Sequence, residues 1–194
     1  MYGPAKALDS IAELKVLEHI RTKHWRTAKR DTVAVLLSWR AGLRVSEIAQ
    51  ICWSDVATCT GELCDQVRVR RETTKGKTFT RFVPMHPELS SALQALRTNA
   101  CTMEQTILLN RQRGAFTVNA LTVWFHRLYR AANLDGASSH SGRRGFITRC
   151  ARSCTTVGAS IEDVRDMAGH ALLSTTAAYI DANAEAKRKL VDGL

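Results

Sequence analysis

The segment from Asp55 to Pro84 interrupts an otherwise helical sequence pattern, and it limits the folds that this chain can adopt. Its apolar runs are short, and turn signals at Thr60-Gly61 and at 75–77 (Lys-Gly-Lys) separate them. The residues in these runs that favour β-structure are Val67, Val69, Phe79, Phe82 and Val83. We therefore predict one small antiparallel sheet of two or three strands within a mainly α protein.

Helical periodicity and capping residues account for most of the remaining chain. Ser10 with Glu13 is typical of a capping box, Ser46 and Ser174 are positioned to begin short helices, and Gly42 is positioned to end one. The predicted helices run from Ser10 to about Arg21 and then over 30–41, 46–52, 87–97, 117–132, 141–153, 160–169, 174–179 and 183–191. The aromatic stripe of 117–132 is typical of core packing, with base stacking as the alternative.

Length and apolar content favour a single domain over residues 1–194, with residues 1–30 forming an N-terminal helix and a basic stretch. No stretch approaches the roughly 20 apolar residues of a membrane span, and the N-terminus lacks a signal-peptide pattern. We therefore expect a cytoplasmic protein without a membrane partner. The six cysteines form no CxxC pair, which predicts reduced thiols and no zinc site.

The charge balance favours a polyanionic partner. The chain carries 28 Lys and Arg against 18 Asp and Glu, a formal net charge of +10. The basic residues cluster in three stretches, 21–30, 68–81 and 140–152. Such clusters are typical of nucleic-acid binding, and three solvated basic faces are the alternative.

One set of side chains has the composition that phosphodiester transesterification requires. Fixed arginines stabilise the charge that develops on the non-bridging oxygens, a hydroxyl group attacks phosphorus, and an acid protonates the leaving oxygen. The candidates are Arg44, Lys75, His140, Arg143, His170 and Tyr179. Each one alone also fits a structural role, such as a helix cap or core packing. If these cations supply the stabilisation, the reaction needs no metal and no cofactor.

Four segments, in order, resemble the motifs of the tyrosine recombinases, the phage integrase family. Residues 36–56 (LLSWRAGLRVSEIAQICWSDV) resemble the first arginine motif, and 73–85 (TTKGKTFTRFVPM) resemble the β-hairpin lysine motif. Residues 140–151 (HSGRRGFITRCA) resemble the His-x-x-Arg motif, and 167–181 (MAGHALLSTTAAYID) resemble the Gly-His box with its nucleophilic tyrosine. The resemblance covers nearly the whole chain, and it implies the catalytic-domain fold and the site-specific DNA recombinase activity of that family.

The resemblance also implies a role for each matching residue. Arg44 and Arg143 would clamp the scissile phosphate, and Tyr179 would attack it to form a 3′-phosphotyrosyl link with release of a 5′ hydroxyl. The general acid would be Lys75, with Lys77 as its competitor. His140 would assist proton transfer, and His170 would hydrogen-bond the phosphate or support the site. Glu47, three residues after Arg44, would orient that arginine or another cation.

Four departures from the family pattern bear on these expectations. Gly142 stands where the family usually has leucine, so we expect a looser start of the 141–153 helix and a less secure alignment of Arg143. Ala168 replaces a leucine before Gly169, and the hairpin is one residue longer between the lysine and the proline. Few residues precede the first arginine motif, so we expect no separate N-terminal DNA-clamping domain in this chain, and weak, salt-sensitive DNA binding.

The expected partners are double-stranded DNA and, during synapsis, three further copies of the chain, with a monomer in the free state. The expected DNA contacts are Lys77, Arg70, Arg81, Arg144, Arg111 and Arg113. The helix at the C-terminus, 183–194, would either contact a neighbouring protomer or remain solvated. The alternative functions are DNA binding without chemistry, a type IB topoisomerase activity, and helical transcription regulation.

Overall fold

The structure, a computed structural model, describes residues 6–74, 79–98 and 102–179. The helices are α1 (Ser10–Lys23), α2 (Ala28–Arg40), α3 (Val45–Gln50), α4 (Pro87–Leu96), α5 (Val118–Ala131), α6 (Ser141–Ser153), α7 (Ile161–Ala168) and α8 (Leu173–Ala177). The strands are β1 (Gln66–Val69) and β2 (Arg81–Pro84), and short 3₁₀ turns occur at Trp53–Asp55, Arg71–Thr73 and Thr155–Val157. The prediction of a mainly α fold with a small antiparallel sheet is confirmed. The lysine turn at 75–77 and the helix predicted after residue 182 lie outside the described residues.

Several helix boundaries follow the predicted local signals. The hydroxyl of Thr117 accepts a hydrogen bond from the Ala120 amide at the start of α5, and Ser160 does the same for the Asp163 amide at the start of α7. Gly42 and Gly169 take the left-handed conformation after α2 and α7, with φ of 62° and 63°. These two glycines redirect the chain at the points where the candidate residues Arg44 and His170 follow.

Three predicted helix starts are wrong. Asp9, rather than Ser10, caps α1, because its carboxylate accepts from the Ala12 amide at 2.8 Å. Helix α3 begins directly after Arg44, so Ser46 lies within it. Helix α8 begins at Leu173 and ends at Ala177, and Ser174 is again inside the helix rather than at its cap.

The sheet consists of two antiparallel strands in which Val67 pairs with Val83 and Val69 pairs with Arg81. Burial alternates along both strands, so that Val67, Val69, Arg81 and Val83 point inward. An arginine therefore occupies an inward position of β2, next to a buried valine.

The core is built around α2, which is buried along most of its length and packs against α1, α4 and α6. The prediction that the α5 stripe belongs to the core is confirmed, since Leu121, Phe125, Leu128 and Tyr129 are buried. The indole N–H of Trp39 donates to the Tyr129 hydroxyl at 3.2 Å, which links α2 to α5. Within the part of the chain that the structure describes, no helix has the length and apolar character to span a bilayer.

Gly142 packs directly against Trp39, and this contact explains the departure from the family pattern. A Cβ atom at this position would lie 2.3 Å from Cδ1 of Trp39 and 2.5 Å from Oγ of Ser38. The indole therefore fills the space that a larger residue 142 would need. The expected loosening at the start of α6 is not observed, because Gly142 and Arg143 are both buried.

Candidate active site

The ends of four helices bring Arg44, Arg143, His170 and Tyr179 together. Arg44 immediately precedes α3, and Arg143 lies in the first turn of α6. His170 follows the left-handed Gly169 at the end of α7, and Tyr179 follows α8. Arg143 donates to the carbonyl oxygens of Gly42 and Ala168, and Arg44 donates to that of Gly169 at 3.0 Å. These bonds tie the α2–α3 turn, the start of α6 and the end of α7 into one site.

Arg143 is the most deeply buried of the four candidates, with 5% of its surface exposed. Burial, followed by the neighbouring charge of Arg44, lowers its pKa to about 9, so the guanidinium remains charged at neutral pH. Its Nη2 also donates to Nε2 of His170 at 3.1 Å. A guanidinium carries five N–H donors, and within the described residues the Nε–H and one Nη1–H of Arg143 have no partner. These two groups are available to an anionic ligand.

Glu47 joins Arg44 to a second arginine. Its side chain is 1% exposed, and its Oε1 accepts from Arg44 Nη1 at 3.1 Å, while Oε2 caps the Arg44 backbone amide at 2.7 Å. Both carboxylate oxygens also accept from Arg81, at 2.9 and 2.8 Å. Burial acts to raise the pKa of Glu47, but the hydrogen bonds from Arg81 and Arg44 outweigh it and lower that pKa. Glu47 is therefore an anion that orients Arg44, which is one of the two roles that the sequence resemblance implied for Glu47.

The location of Arg81 does not agree with the expected surface contact to DNA. Arg81 is 4% exposed, and its guanidinium is bound to Glu47 and to the carbonyl oxygen of Met167 at 2.9 Å. The period-two alternation of β2 carried the signal for this, because Arg81 shares its face with Val83. The run of positive charge in 68–81 suggests a uniformly solvated or DNA-facing surface and conceals this alternation.

The hydrogen bonds around His170 define its tautomer. Arginine has donors only, so Nε2 of His170 must accept from Arg143, and Nδ1 carries the proton. That N–H donates to Oγ1 of Thr176, which lies 2.9 Å away and is fully buried. Burial and the charges of Arg143 and Arg44 lower the pKa of His170 to about 4, so the ring is neutral at physiological pH. Thr176 was not among the site residues predicted from the sequence. The only sequence signal for it is its position in α8, three residues before Tyr179.

Tyr179 is half-buried beside this cationic cluster. Its ring stacks on His170, with centroids 5.9 Å apart and planes inclined by 22°. The guanidinium carbon of Arg144 lies 5.4 Å from the centroid of the same ring. Arg144, one of the expected DNA contacts, is therefore next to the candidate nucleophile.

The remaining predicted site residues are less closely connected. His140 is exposed at the start of α6, and among the described residues its imidazole has no hydrogen bond to Arg44, Arg143 or His170. Both lysine candidates, Lys75 and Lys77, lie outside the described residues, between Thr74 and Phe79.

Three of the expected DNA contacts lie at or near the surface. Arg70 is partly exposed, but it is paired with Asp55 and donates to the Gln50 carbonyl oxygen at 2.6 Å. Arg111 and Arg113 are exposed in a turn closed by a bridge between Leu109 and Ala115.

The charges of this site fit an anion better than a metal ion. Among residues 6–74, 79–98 and 102–179, no three metal-ligating side chains of the His, Cys, Asp or Glu type lie close together. Arg44 and Arg143 instead present guanidinium donors close to a neutral histidine, on which a phenol ring stacks. Such a group can bind one phosphate and place a hydroxyl nucleophile next to it.

Comparison with known sequences relates this chain to one protein family. A family model described as the phage integrase family matches residues 10–186. Tyrosine recombinase XerA of Thermococcus kodakarensis is 30% identical over 166 residues, which are 84% of this chain and 55% of that protein. Tyrosine recombinase XerC of Mesorhizobium japonicum is 29% identical over 181 residues, 91% of this chain and 54% of that protein. The chain thus spans about half the length of the curated relatives it matches.

Solved structures show the same fold. The alignment with a crystal structure of XerA recombinase covers 100% of this chain and 64% of that chain, with a TM-score of 0.69 and 22% identity. The Tn1549 transposon integrase in complex with transposon right end DNA covers 98% of this chain, with 66% of its own length, a TM-score of 0.78 and 20% identity. The catalytic-domain fold expected from the sequence motifs is therefore confirmed.

Proposed function

This chain belongs to the phage integrase family of tyrosine recombinases, and on that basis we propose that it is a site-specific DNA recombinase. In the proposed reaction it cuts and rejoins DNA through a 3′-phosphotyrosyl intermediate. The observation that carries this proposal is the meeting of Arg44, Arg143, His170 and Tyr179 at the ends of four helices. The named relatives are tyrosine recombinases, and several of the similar structures contain DNA, which supports the same substrate.

The phosphate is held by the guanidinium donors that the protein leaves unoccupied. Arg143 contributes its Nε–H and one Nη1–H, and Arg44 contributes the N–H groups that do not bind Glu47 or Gly169. Charge-assisted donors of this kind strengthen as charge develops on the phosphate oxygens, so they favour the transition state over the ground state. Neutral His170 accepts from Arg143 and keeps that guanidinium in place.

Cleavage exchanges one ester bond for another. The phenolic oxygen of Tyr179 attacks phosphorus, a P–O bond to tyrosine forms, and the bond from phosphorus to the 5′ oxygen breaks. Lys75, or Lys77 in the alternative assignment, donates a proton to that leaving oxygen, and His140 assists removal of the phenolic proton. Attack by a 5′ hydroxyl reverses these steps and restores the phosphodiester without an external energy source.

The partners follow from this reaction. Exchange between two duplexes requires four cuts, so we propose that four copies of the chain assemble on DNA, while the free protein is a monomer. We also propose that the protein acts on DNA in the cytoplasm. Because exposed Lys and Arg side chains would contact the phosphates, its affinity for DNA is expected to depend strongly on salt.

A covalent-trapping experiment on DNA of randomised sequence tests the proposed chemistry and finds the target at the same time. Nicked duplexes allow the short 5′-hydroxyl fragment to diffuse away after cleavage, so the phosphotyrosyl adduct accumulates. We expect a protein–DNA band on a denaturing gel, and sequencing of the trapped DNA identifies the site. Tyr179→Phe should abolish the band because it removes the attacking oxygen.

Tyr129→Phe is the matched control, since it removes a tyrosine hydroxyl that bonds to Trp39 in the core. This variant should retain the adduct. Absence of an adduct on every duplex, or an adduct that persists in Tyr179→Phe, would contradict the proposal. Relaxation of a supercoiled plasmid that lacks any trapped sequence would point to topoisomerase activity instead.

A further inference from the structure

The turn between α1 and α2 presents an aromatic ring surrounded by positive charge. Trp25 is 68% exposed, an unusual state for the largest apolar side chain. The guanidinium carbon of Arg26 lies 4.8 Å from the centroid of its ring. Lys23 and Lys29 are exposed on either side of this pair, and residues 19–30 contain no acid.

The next carboxylate along the chain, that of Asp31, does not neutralise this surface. Asp31 is buried, and its oxygens accept from Arg30, from Thr27 at 2.8 Å and from Nδ1 of His24 at 2.8 Å. Its charge is therefore directed inward and balanced by Arg30. The exposed cations Lys23, Arg26 and Lys29 have no ion-pair partner among the residues that the structure describes.

Arg30 also holds a second basic turn against the start of α2. Its Nη1 donates to the Leu109 carbonyl oxygen at 3.0 Å, and its guanidinium carbon lies 5.2 Å from the centroid of the Phe116 ring. Leu109 and Phe116 flank the turn that exposes Arg111 and Arg113. We name as the corner patch the surface formed by Lys23, Trp25, Arg26, Lys29, Arg111 and Arg113.

We infer that the corner patch is a second contact surface for double-stranded DNA, separate from the cluster around Arg143. Five exposed cations, which have no acidic partner within residues 6–74, 79–98 and 102–179, match the phosphate backbone of a duplex, which Lys and Arg contact independently of sequence. The flat face of Trp25, held by Arg26, can pack against the sugar edges between those phosphates. This inference rests on the proposed function, because it assumes that the duplex cut at Tyr179 continues across the protein.

The distance between the two surfaces is compatible with one duplex. Helix α2 runs between them, with the corner patch at its start and Arg44 shortly after its end. Its 13 residues span about 20 Å, which corresponds to about six base pairs of duplex. The corner patch should therefore bind backbone about half a helical turn away from the cleavage point.

Salt-dependent binding to a 30-base-pair duplex tests this inference. We expect Lys29→Gln to reduce the slope of log affinity against log salt by about 0.9, the loss of one phosphate contact. The matched control is Lys15→Gln, another exposed helical lysine, which lies about 12 Å from Lys23 along α1 and should leave the slope unchanged. Trp25→Ala should weaken binding severalfold at every salt concentration with little change in slope. All three positions are exposed, and thermal denaturation verifies that each variant is folded.

A second measurement separates this inference from the proposed chemistry. Adduct formation is compared on two nicked duplexes. On the side of the cut that faces the corner patch, one duplex ends after about four base pairs and the other extends beyond the corner patch. Lys29→Gln and Trp25→Ala should lower adduct yield only on the longer duplex at limiting protein. No adduct on either duplex with the unaltered protein would contradict the proposed function.

If adducts form normally but Lys29→Gln has the same salt slope as Lys15→Gln, the DNA contact at the corner patch is contradicted. The proposed function is then unaffected. A preference for single-stranded nucleic acid that depends on Trp25 would also overturn it, because stacking on bases would then replace contact with duplex backbone.

Discussion

Replacing Arg81 with methionine tests the assignment of this residue as an internal support rather than a DNA contact. Methionine retains much of the side-chain volume but removes the charge and all three hydrogen-bonding nitrogens. Glu47, buried and ionised, would then keep only Arg44 as a charged partner, and the Met167 carbonyl oxygen would lose its donor. Removal of one partner from a buried ion pair generally destabilises a protein by about 3–5 kcal/mol.

The expected effect lies at the lower end of that range, since Arg44 still bonds to Glu47. For a chain of this length, each kcal/mol lowers the melting temperature by about 2–4 °C, so Arg81→Met should lower it by roughly 6–12 °C. Arg71→Met is the matched control. Arg71 is exposed and pairs with exposed Glu72, so its replacement should change the free energy of unfolding by less than about 0.5 kcal/mol.

Urea denaturation and salt-dependent DNA binding, measured on the same variants, decide between the two roles. Adding Glu47→Gln to Arg81→Met should cost less than the sum of the single changes, because the unpaired charge is gone. An Arg81→Met protein whose free energy of unfolding stays within about 0.5 kcal/mol of that of the unaltered protein would refute an internal structural role for Arg81. A simultaneous fall of about 0.9 in the salt slope would assign Arg81 to DNA contact.

Further predictions concern the packing at Gly142 and the hydrogen bonds of His170. Gly142→Leu should destabilise the fold by at least about 1–3 kcal/mol, because a Cβ would lie 2.3 Å from Trp39. In a thermal denaturation scan, a smaller residue at position 39 should recover part of that loss of stability. His170 has a pKa of about 4 in the folded protein, below its ordinary 6.5. As the pH falls, the unfolded chain therefore binds a proton at this histidine before the folded chain does. The resulting stability is full above about pH 6.5 and is lost as the pH falls towards 4, and urea titrations should show a shallower pH dependence in His170→Gln. Thr176→Val should cost about 1–3 kcal/mol in urea, because the buried Nδ1–H of His170 loses its acceptor, whereas Thr176→Ser should retain most of the stability.

Local signals predicted the fold well where a single residue sets the backbone. Thr117 and Ser160 mark helix starts because their side chains bond to amides three residues ahead, and Gly42 and Gly169 mark helix ends because they accept positive φ. The capping box predicted at Ser10 and Glu13 was wrong, because the carboxylate of the preceding Asp9 accepts the hydrogen bond from the Ala12 amide. At Ser46 the helix starts one residue earlier, because Glu47 caps the amide of Arg44.

The motifs predicted candidate site residues, and Arg44, Arg143, His170 and Tyr179 do lie together, but the motifs did not predict how these residues are held. Arg81 reaches Glu47 across 34 positions of sequence, and Arg143 reaches Gly42 across 101. Such partners are chosen by the tertiary fold, and no periodicity or capping rule encodes them. The same applies to Trp39, which explains Gly142 only once α2 and α6 are packed together.

The charge held in the site is suited to the transition state of the proposed reaction. Arg44, Arg81 and Arg143 carry three positive charges, Glu47 carries one negative charge, and His170 is neutral, so these groups have a formal charge of +2. A phosphodiester carries one negative charge, and attack by a phenolate adds a second. The cluster therefore matches the doubly charged transition state better than the bound substrate, which is the condition for catalysis by differential binding. Protonation of His170 would raise this charge and remove the acceptor that holds Arg143, so the tautomer set by Thr176 is part of the same electrostatic arrangement.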